Sequence, residues 1–130
     1  MFTAAARLVR EALERDRALQ DFCGAVAGLP LSLAHAKEAL VPPVALVRVV
    51  GGSAAAAGPG SVHAQAAFSL PLFGEDAYDR CLDAVDLAAR ALLSVKNESG
   101  IVTEVSLAGI DPPGEDDPTW AFGLDVVVEF

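Results

Sequence analysis

The chain has 130 residues, 53% of them hydrophobic, and a formal net charge of −9. That length suits one domain with a core that needs neither disulfides nor a metal, and the charge argues against a nucleic-acid-binding face, which needs clustered Lys and Arg. The charge is uneven. Four of the nine basic residues (Arg7, Arg10, Arg15 and Arg17) fall in the first predicted helix. After Lys96 only acidic residues follow: Glu98, Glu104, Asp111, Glu115, Asp116, Asp117, Asp125 and Glu129. One end or face is therefore expected to be strongly acidic.

The start of the chain lacks a charged segment followed by an apolar one, so no signal peptide is expected. No apolar run approaches the roughly 18–20 residues of a membrane span, so no membrane partner is expected. Cys23 and Cys81 each sit in an apolar helical setting, and read as reduced, buried thiols of a cytoplasmic protein.

Thr3 to Phe22 is predicted as one helix. Ala5, Leu8, Val9, Ala12, Leu13, Leu19 and Phe22 recur at three- and four-residue spacing, and Thr3 is placed to cap it. Leu31–Ala36 is a short edge strand or a helical turn. Pro42-Pro43 ends that stretch, and Val44–Val50, almost wholly apolar, reads as a strand covered on both faces. Gly51 to Gly60, nearly all Gly, Ala, Ser and Pro, is predicted as a ten-residue arm leading to a second strand, Ser61–Phe73. A tight hairpin needs only about two to five residues. Nothing in this arm buries enough to offset the entropy of ordering it alone. It is expected to be mobile in the subunit and to order against a partner.

Glu75 to Ser94 is a second helix, with Glu75, Asp76 and Asp79 near its start, where the helix dipole favours acids. Ile101–Ile110 is a further strand, and Asp111–Pro118 an acidic, proline-rich turn. Thr119–Phe130 carries the cleanest alternation in the chain: Trp120, Phe122, Leu124, Val126, Val128 and Phe130 share one parity. The fold class expected is α+β: a mainly antiparallel four- to five-stranded sheet, two helices packed on one face, and a long β-hairpin arm.

The same residues carry no catalytic or metal-binding signature. His35, His63, Cys23 and Cys81 have no zinc spacing, and no Ser sits in a Gly-x-Ser-x-Gly elbow. The Gly51–Gly60 stretch lacks the Lys-Ser/Thr and the following helix of a phosphate loop. Glu115-Asp116-Asp117 lacks the alternating ligands of a calcium loop. Asn97-Glu98-Ser99 matches a glycosylation sequon, which matters only in a secreted chain. Tyr78 and Trp120 read as core residues. Neither an enzymatic activity nor a cofactor or metal is expected.

The layout as a whole resembles a known family. A basic amphipathic helix leads to Pro-Pro-Val-Ala-Leu-Val, then a Gly/Ala loop, then His-Ala-Gln-Ala-Ala-Phe-Ser-Leu-Pro-Leu-Phe. A Tyr-x-x-Cys-Leu-x-x-Val helix, an acidic turn, a Trp and an alternating strand follow. This is similar to the tail terminator proteins of long-tailed bacteriophages of the lambda and Mu kinds, and to related minor tail proteins of prophages. The resemblance rests on element order and a few positions (Pro43, the Phe68–Phe73 strand end, Trp120) and spans nearly the whole chain.

The resemblance implies a structural virion protein. It would form a homohexameric ring that caps the tail tube, stops its growth and meets the head-side connector, with DNA passing through the lumen unbound. Its place would be the virion tail, assembled in the host cytoplasm. The family's hairpin loop takes part in ring and tube contacts, which maps here onto Gly51, Gly52, Ser53, Ala55, Gly58 and Gly60. The small, apolar character of this loop departs from the family's pattern. On charge, Arg7, Arg10, Arg15 and Arg17 are candidates to meet Asp116 and Asp117 of a neighbouring subunit. Three alternatives stand beside this reading: another head–tail completion protein, a small-molecule-binding α+β module, and an enzyme using Asp83, Asp86 or Glu104.

Overall fold

A computed structural model describes residues 1–34, 41–54, 56, 59–97 and 100–130, with residues 96 and 97 described by their backbone alone. In chain order the elements are α1 (Phe2–Arg15), α2 (Arg17–Ala27), β1 (Ser32–Ala34), β2 (Val44–Ser53), β3 (Ser61–Pro71), α3 (Ala77–Leu93), β4 (Lys96–Asn97), β5 (Gly100–Asp111) and β6 (Thr119–Glu129).

The predicted first helix is two helices, because Asp16 ends one and begins the next. Its backbone is extended (φ −72°, ψ 109°), and its carboxylate accepts a 2.9 Å hydrogen bond from the Leu19 amide. Asp is among the side chains best suited to this N-cap role. Gln20 completes the joint. Its amide nitrogen donates to the Glu14 and Leu31 carbonyls at 3.3 Å, and its oxygen accepts from the Leu31 N–H at 2.8 Å. One side chain thus satisfies a helix-end carbonyl and fastens α2 to the strand that follows. At the start of α1, Met1 rather than Thr3 occupies the cap position, and no side chain caps it.

The sheet is mixed, in the order β1-β2-β3-β6-β5-β4. β1 runs parallel to β2, and every other neighbour pair is antiparallel. It therefore holds one strand more than the upper expectation, the extra being the two-residue β4. The last strand of the chain lies between β3 and β5, and its partners run unbroken from Ser61↔Glu129 to Pro71↔Thr119 on the β3 side.

Alternation sets the two faces. Ala45 and Val47 of β2, Val62 to Leu70 of β3 at every second position, and Phe122 to Val128 of β6 at every second position are buried against the helices. Ala5, Leu8, Val9 and Leu13 of α1 and Leu19 and Cys23 of α2 meet them from above. The buried face of α3 is Ala77, Cys81, Ala84, Ala88, Ala91 and Leu92. Its small side chains let the helix lie close to β5 and β6. β2 is covered on one face only, contrary to its apolar reading: Arg48 is exposed and Val44 and Leu46 are half-buried.

The uncovered face carries a polar row across the sheet. Arg48 donates to the Gln65 amide oxygen at 2.8 and 3.2 Å, and the Gln65 amide nitrogen donates to Asp125 at 3.3 Å. Ser106 sits opposite Asp125 on the next strand.

Candidate assembly interface

The two long edges of the sheet differ. On one side β1 covers only Val44–Leu46 of β2. On the other, β4 covers only Gly100 and Ile101 of β5. The remaining outer edges of β2 and β5 make no strand pair among the described residues. Bulges interrupt both, at Val50 in β2 and at Thr103 and Ala108 in β5. Such kinks blunt an open edge against indiscriminate pairing.

The structure divides the four arginines. Arg7 and Arg10 share a surface depression of about 280 Å³ with Glu11, Glu14 and Leu33 of β1, so they lie along the β1 edge. Arg15 faces the end of α3, where Ala91, Ser94 and Val95 line a second depression with it, and lies 3.9 Å from Glu11. Arg17 belongs to α2 and lies 3.9 Å from Asp21. Ion pairs this exposed contribute little to stability, but they take charge out of the basic face.

Asp116 and Asp117 lie in the exposed turn between β5 and β6, toward the opposite edge. Asp117 has a local role, accepting hydrogen bonds from both the Thr119 amide (3.0 Å) and the Thr119 hydroxyl. Asp side chains often close turns this way. Charge follows the same division. Residues 1–53, which build α1, α2, β1 and β2, hold six basic and five acidic side chains; residues 74–130, which build α3 to β6, hold three and thirteen. Almost all the net charge belongs to the β5 side.

The hairpin arm is shorter than its composition suggests. Gly51, Gly52 and Ser53 are strand residues, paired with His63, Val62 and Ser61. The connection is residues 54–60, of which Ala55, Ala57 and Gly58 lie outside the described residues, as do His35 and Glu98. Gly52 and Gly60 are there for fit. At Gly52 (φ +153°) a Cβ would stand 2.6 Å from the Ser61 carbonyl oxygen and 2.9 Å from the Phe2 ring. Gly60 lies beneath Met1 and its carbonyl accepts from the Phe130 amide at 3.0 Å. Gly52→Ala is therefore expected to cost about 1–3 kcal/mol, the range for strained backbone. Gly51→Ala, which meets nothing within 4 Å, should stay within about 0.5 kcal/mol in the same urea titration. Equal costs would show that backbone fit at Gly52 is not what holds the hairpin end.

The thiols are inert. Cys23 and Cys81 are free and fully buried. Burial pushes the Cys23 thiol up to about 11 and raises that of Cys81. No group of three or more His, Cys, Asp or Glu among the described residues is placed to hold a metal, and no described helix is long and apolar enough to cross a membrane. The depressions among the described residues are open to solvent.

No family model and no curated protein matches the chain. Among solved structures, one whose name is a bare identifier is similar to it, with a TM-score of 0.55, 22% identity and 95% of each chain covered. That likeness shows the fold: a solved α+β domain of matching length and layout.

Two features of the surface escaped sequence reading. Open edges follow from strand order, which no local pattern carries. Tyr78, taken as core, is 52% exposed. It follows Ala77, the first buried residue of α3, and lies beside the buried stripe.

Proposed function

We propose that this protein is a structural subunit of a phage or prophage tail, a tail-terminator-like protein that closes into a homohexameric ring on the end of the tail tube. The observation that carries the reading is the division of charge between the two sides of one sheet. A closed ring of identical subunits needs two different, complementary lateral surfaces. Here Arg7 and Arg10 lie by the β1 edge, and the surplus of carboxylates, Asp116 among them, lies on the β5 side. Opposite charge on the two surfaces steers subunits into register and disfavours like-to-like pairing. The full-length layout supports the same reading. The ring's two ends would meet the tail tube protein and the head-side connector. An acidic lumen would let DNA pass without holding it. The protein works by shape and charge, with no catalytic step, in the virion tail after assembly in the host cytoplasm.

Negative-stain imaging with mass measurement tests this. Rings of about six subunits should form, and should fall apart as salt rises, since exposed charges are screened beyond roughly 8–10 Å at 0.10–0.15 M. A chain that stays monomeric at every salt and concentration, and also ignores purified tail tubes, would overturn the proposal. The loop has its own test. Replacing residues 54–59 by a single Asn leaves Asn followed by Gly60 between the paired Ser53 and Ser61, a favoured two-residue hairpin turn. The fold should survive with an unchanged melting temperature, while ring or tube attachment is lost. Full attachment would make the loop a mere connection.

A further inference from the structure

The end of the sheet where β3 gives way to α3 displays aromatic surface that the fold does not use. Phe73 is 60% exposed and Tyr78 52%. The Tyr78 ring lies against half-buried Trp120, centroids 5.9 Å apart and tilted by 51°. Trp120 pairs with Leu70 in the ladder, and the Leu72 amide donates to the Pro118 carbonyl at 3.3 Å. The Phe73 corner, the first turn of α3 and the end of the acidic turn are therefore fixed beside one another. Glu75 and Asp79 stand next to Phe73 and Tyr78 in the chain at the start of α3, Glu115 and Asp116 precede Pro118 in the turn, and all four are exposed. None of the four makes an ion pair among the described residues. Asp76 and Asp117 are occupied locally, Asp76 by Arg80 at 3.1 Å and Asp117 by Thr119.

We infer that this aromatic corner docks a cationic, apolar segment of another protein. Tyr, Trp and Phe supply large contact area at low conformational cost, and they are the side chains that dominate interface energy. The carboxylate rim selects the sign of the partner. Lys or Arg would meet the rim, and a guanidinium would also stack on the electron-rich ring faces. The same rim repels a second copy of itself, which disfavours a symmetric dimer through this corner. It repels nucleic acid as well. The aromatic side chains, Glu75 and Asp79 belong to this corner alone, while Glu115 and Asp116 are shared with the proposed ring contact, so the aromatic variant separates the two readings.

Trp120 is the sole tryptophan, so its emission reports on this corner alone. The full chain is titrated with a cationic amphipathic peptide of alternating Leu and Arg, and with a Leu/Glu peptide of equal length. The expected result is a saturable change in Trp120 emission with the cationic peptide, weakened by salt, and none with the acidic one. Labelled-peptide anisotropy should show affinity falling at least about tenfold in Phe73→Ser/Tyr78→Ala; both side chains are exposed, so the melting curve should hold. Glu75→Gln/Asp79→Asn/Glu115→Gln/Asp116→Asn should flatten the salt dependence. Three results would overturn the inference: no saturation, equal binding of the acidic peptide, or undiminished affinity in the aromatic variant. A Trp120 shift on concentrating the protein alone would also overturn it, by giving the corner to a second copy.

Discussion

Phe68→Ala is expected to lower the unfolding free energy by about 3–5 kcal/mol, the usual cost of removing a buried phenylalanine. Phe68 is the largest of the fully buried side chains, at 1% exposure. Its ring stacks on that of Phe122, its partner in β6, with centroids 4.5 Å apart and planes within 9°. On its other side the partner in β2 is Ala45, which is too short to fill the space. α1 and α2 lie over β3, and their buried Leu8, Val9, Leu13 and Leu19 are already packed in the core, so they would close the cavity only in part. Against a typical total of about 5–15 kcal/mol, that loss leaves a marginal protein. Urea titration should show a much lower midpoint with an unchanged slope. A loss under about 1 kcal/mol would mean that the sheet and helices can close around the gap, and that the stacked pair is not the centre of the core.

Arg7→Glu with Arg10→Glu should abolish rings while leaving the melting temperature nearly unchanged. Arg7 is exposed and Arg10 half-buried, both along the β1 edge, and substitutions of exposed side chains usually move stability by less than about 0.5 kcal/mol. Across the proposed contact they would face the acidic β5 side of a neighbour, turning attraction into repulsion, which can cost several kcal/mol. Arg15→Glu with Arg17→Glu should do less, because Arg15 faces the end of α3 and Arg17 belongs to α2, and neither lines the depression beside β1. Adding Glu115→Arg and Asp116→Arg to the first variant should bring rings back. Asp117 is left alone there because it holds the turn. Sedimentation velocity over a range of concentrations reads all three variants. Rings of normal mass from the Arg7/Arg10 variant would remove these side chains from the interface.

The legible parts of the fold were those with a strong local period. β6 could be read position by position because its two faces meet opposite environments, core and water. α3 could be read as a helix from its helical spacing, but its buried stripe runs through Ala77, Ala84 and Ala91 and leaves Tyr78 exposed and Leu82 and Val85 half-buried. The break at Asp16 was hidden because the apolar stripe runs on through Leu19 and Phe22. A capping Asp leaves that spacing intact while changing the direction of the chain. The extent of β2 was hidden for the opposite reason. Gly51 and Gly52 have no side chains and Ser53 only a small polar one, too little to read an alternation from, yet their backbones pair with β3. Gly52 is small because Phe2 and the Ser61 carbonyl press on it, and that reason is visible only in three dimensions. The candidate site was legible as charge and not as place. Composition separated the basic start from the acidic end, but strand order alone put them on opposite sides of the sheet.

The central position of β6 bears on how the chain can be made. Synthesis delivers β3 well before β6 and β5 just before it, and these two strands are not neighbours; each waits for the strand that will lie between them. Until residues 119–129 emerge, the sheet exists as two halves with bare inner edges, of the kind that chains in a crowded cell stick together by. A nascent chain of this protein therefore cannot settle gradually from its first helix onward. The sheet can join its two parts only once β6 is made. Fragments lost from that end should appear in the insoluble fraction, not as smaller folded domains.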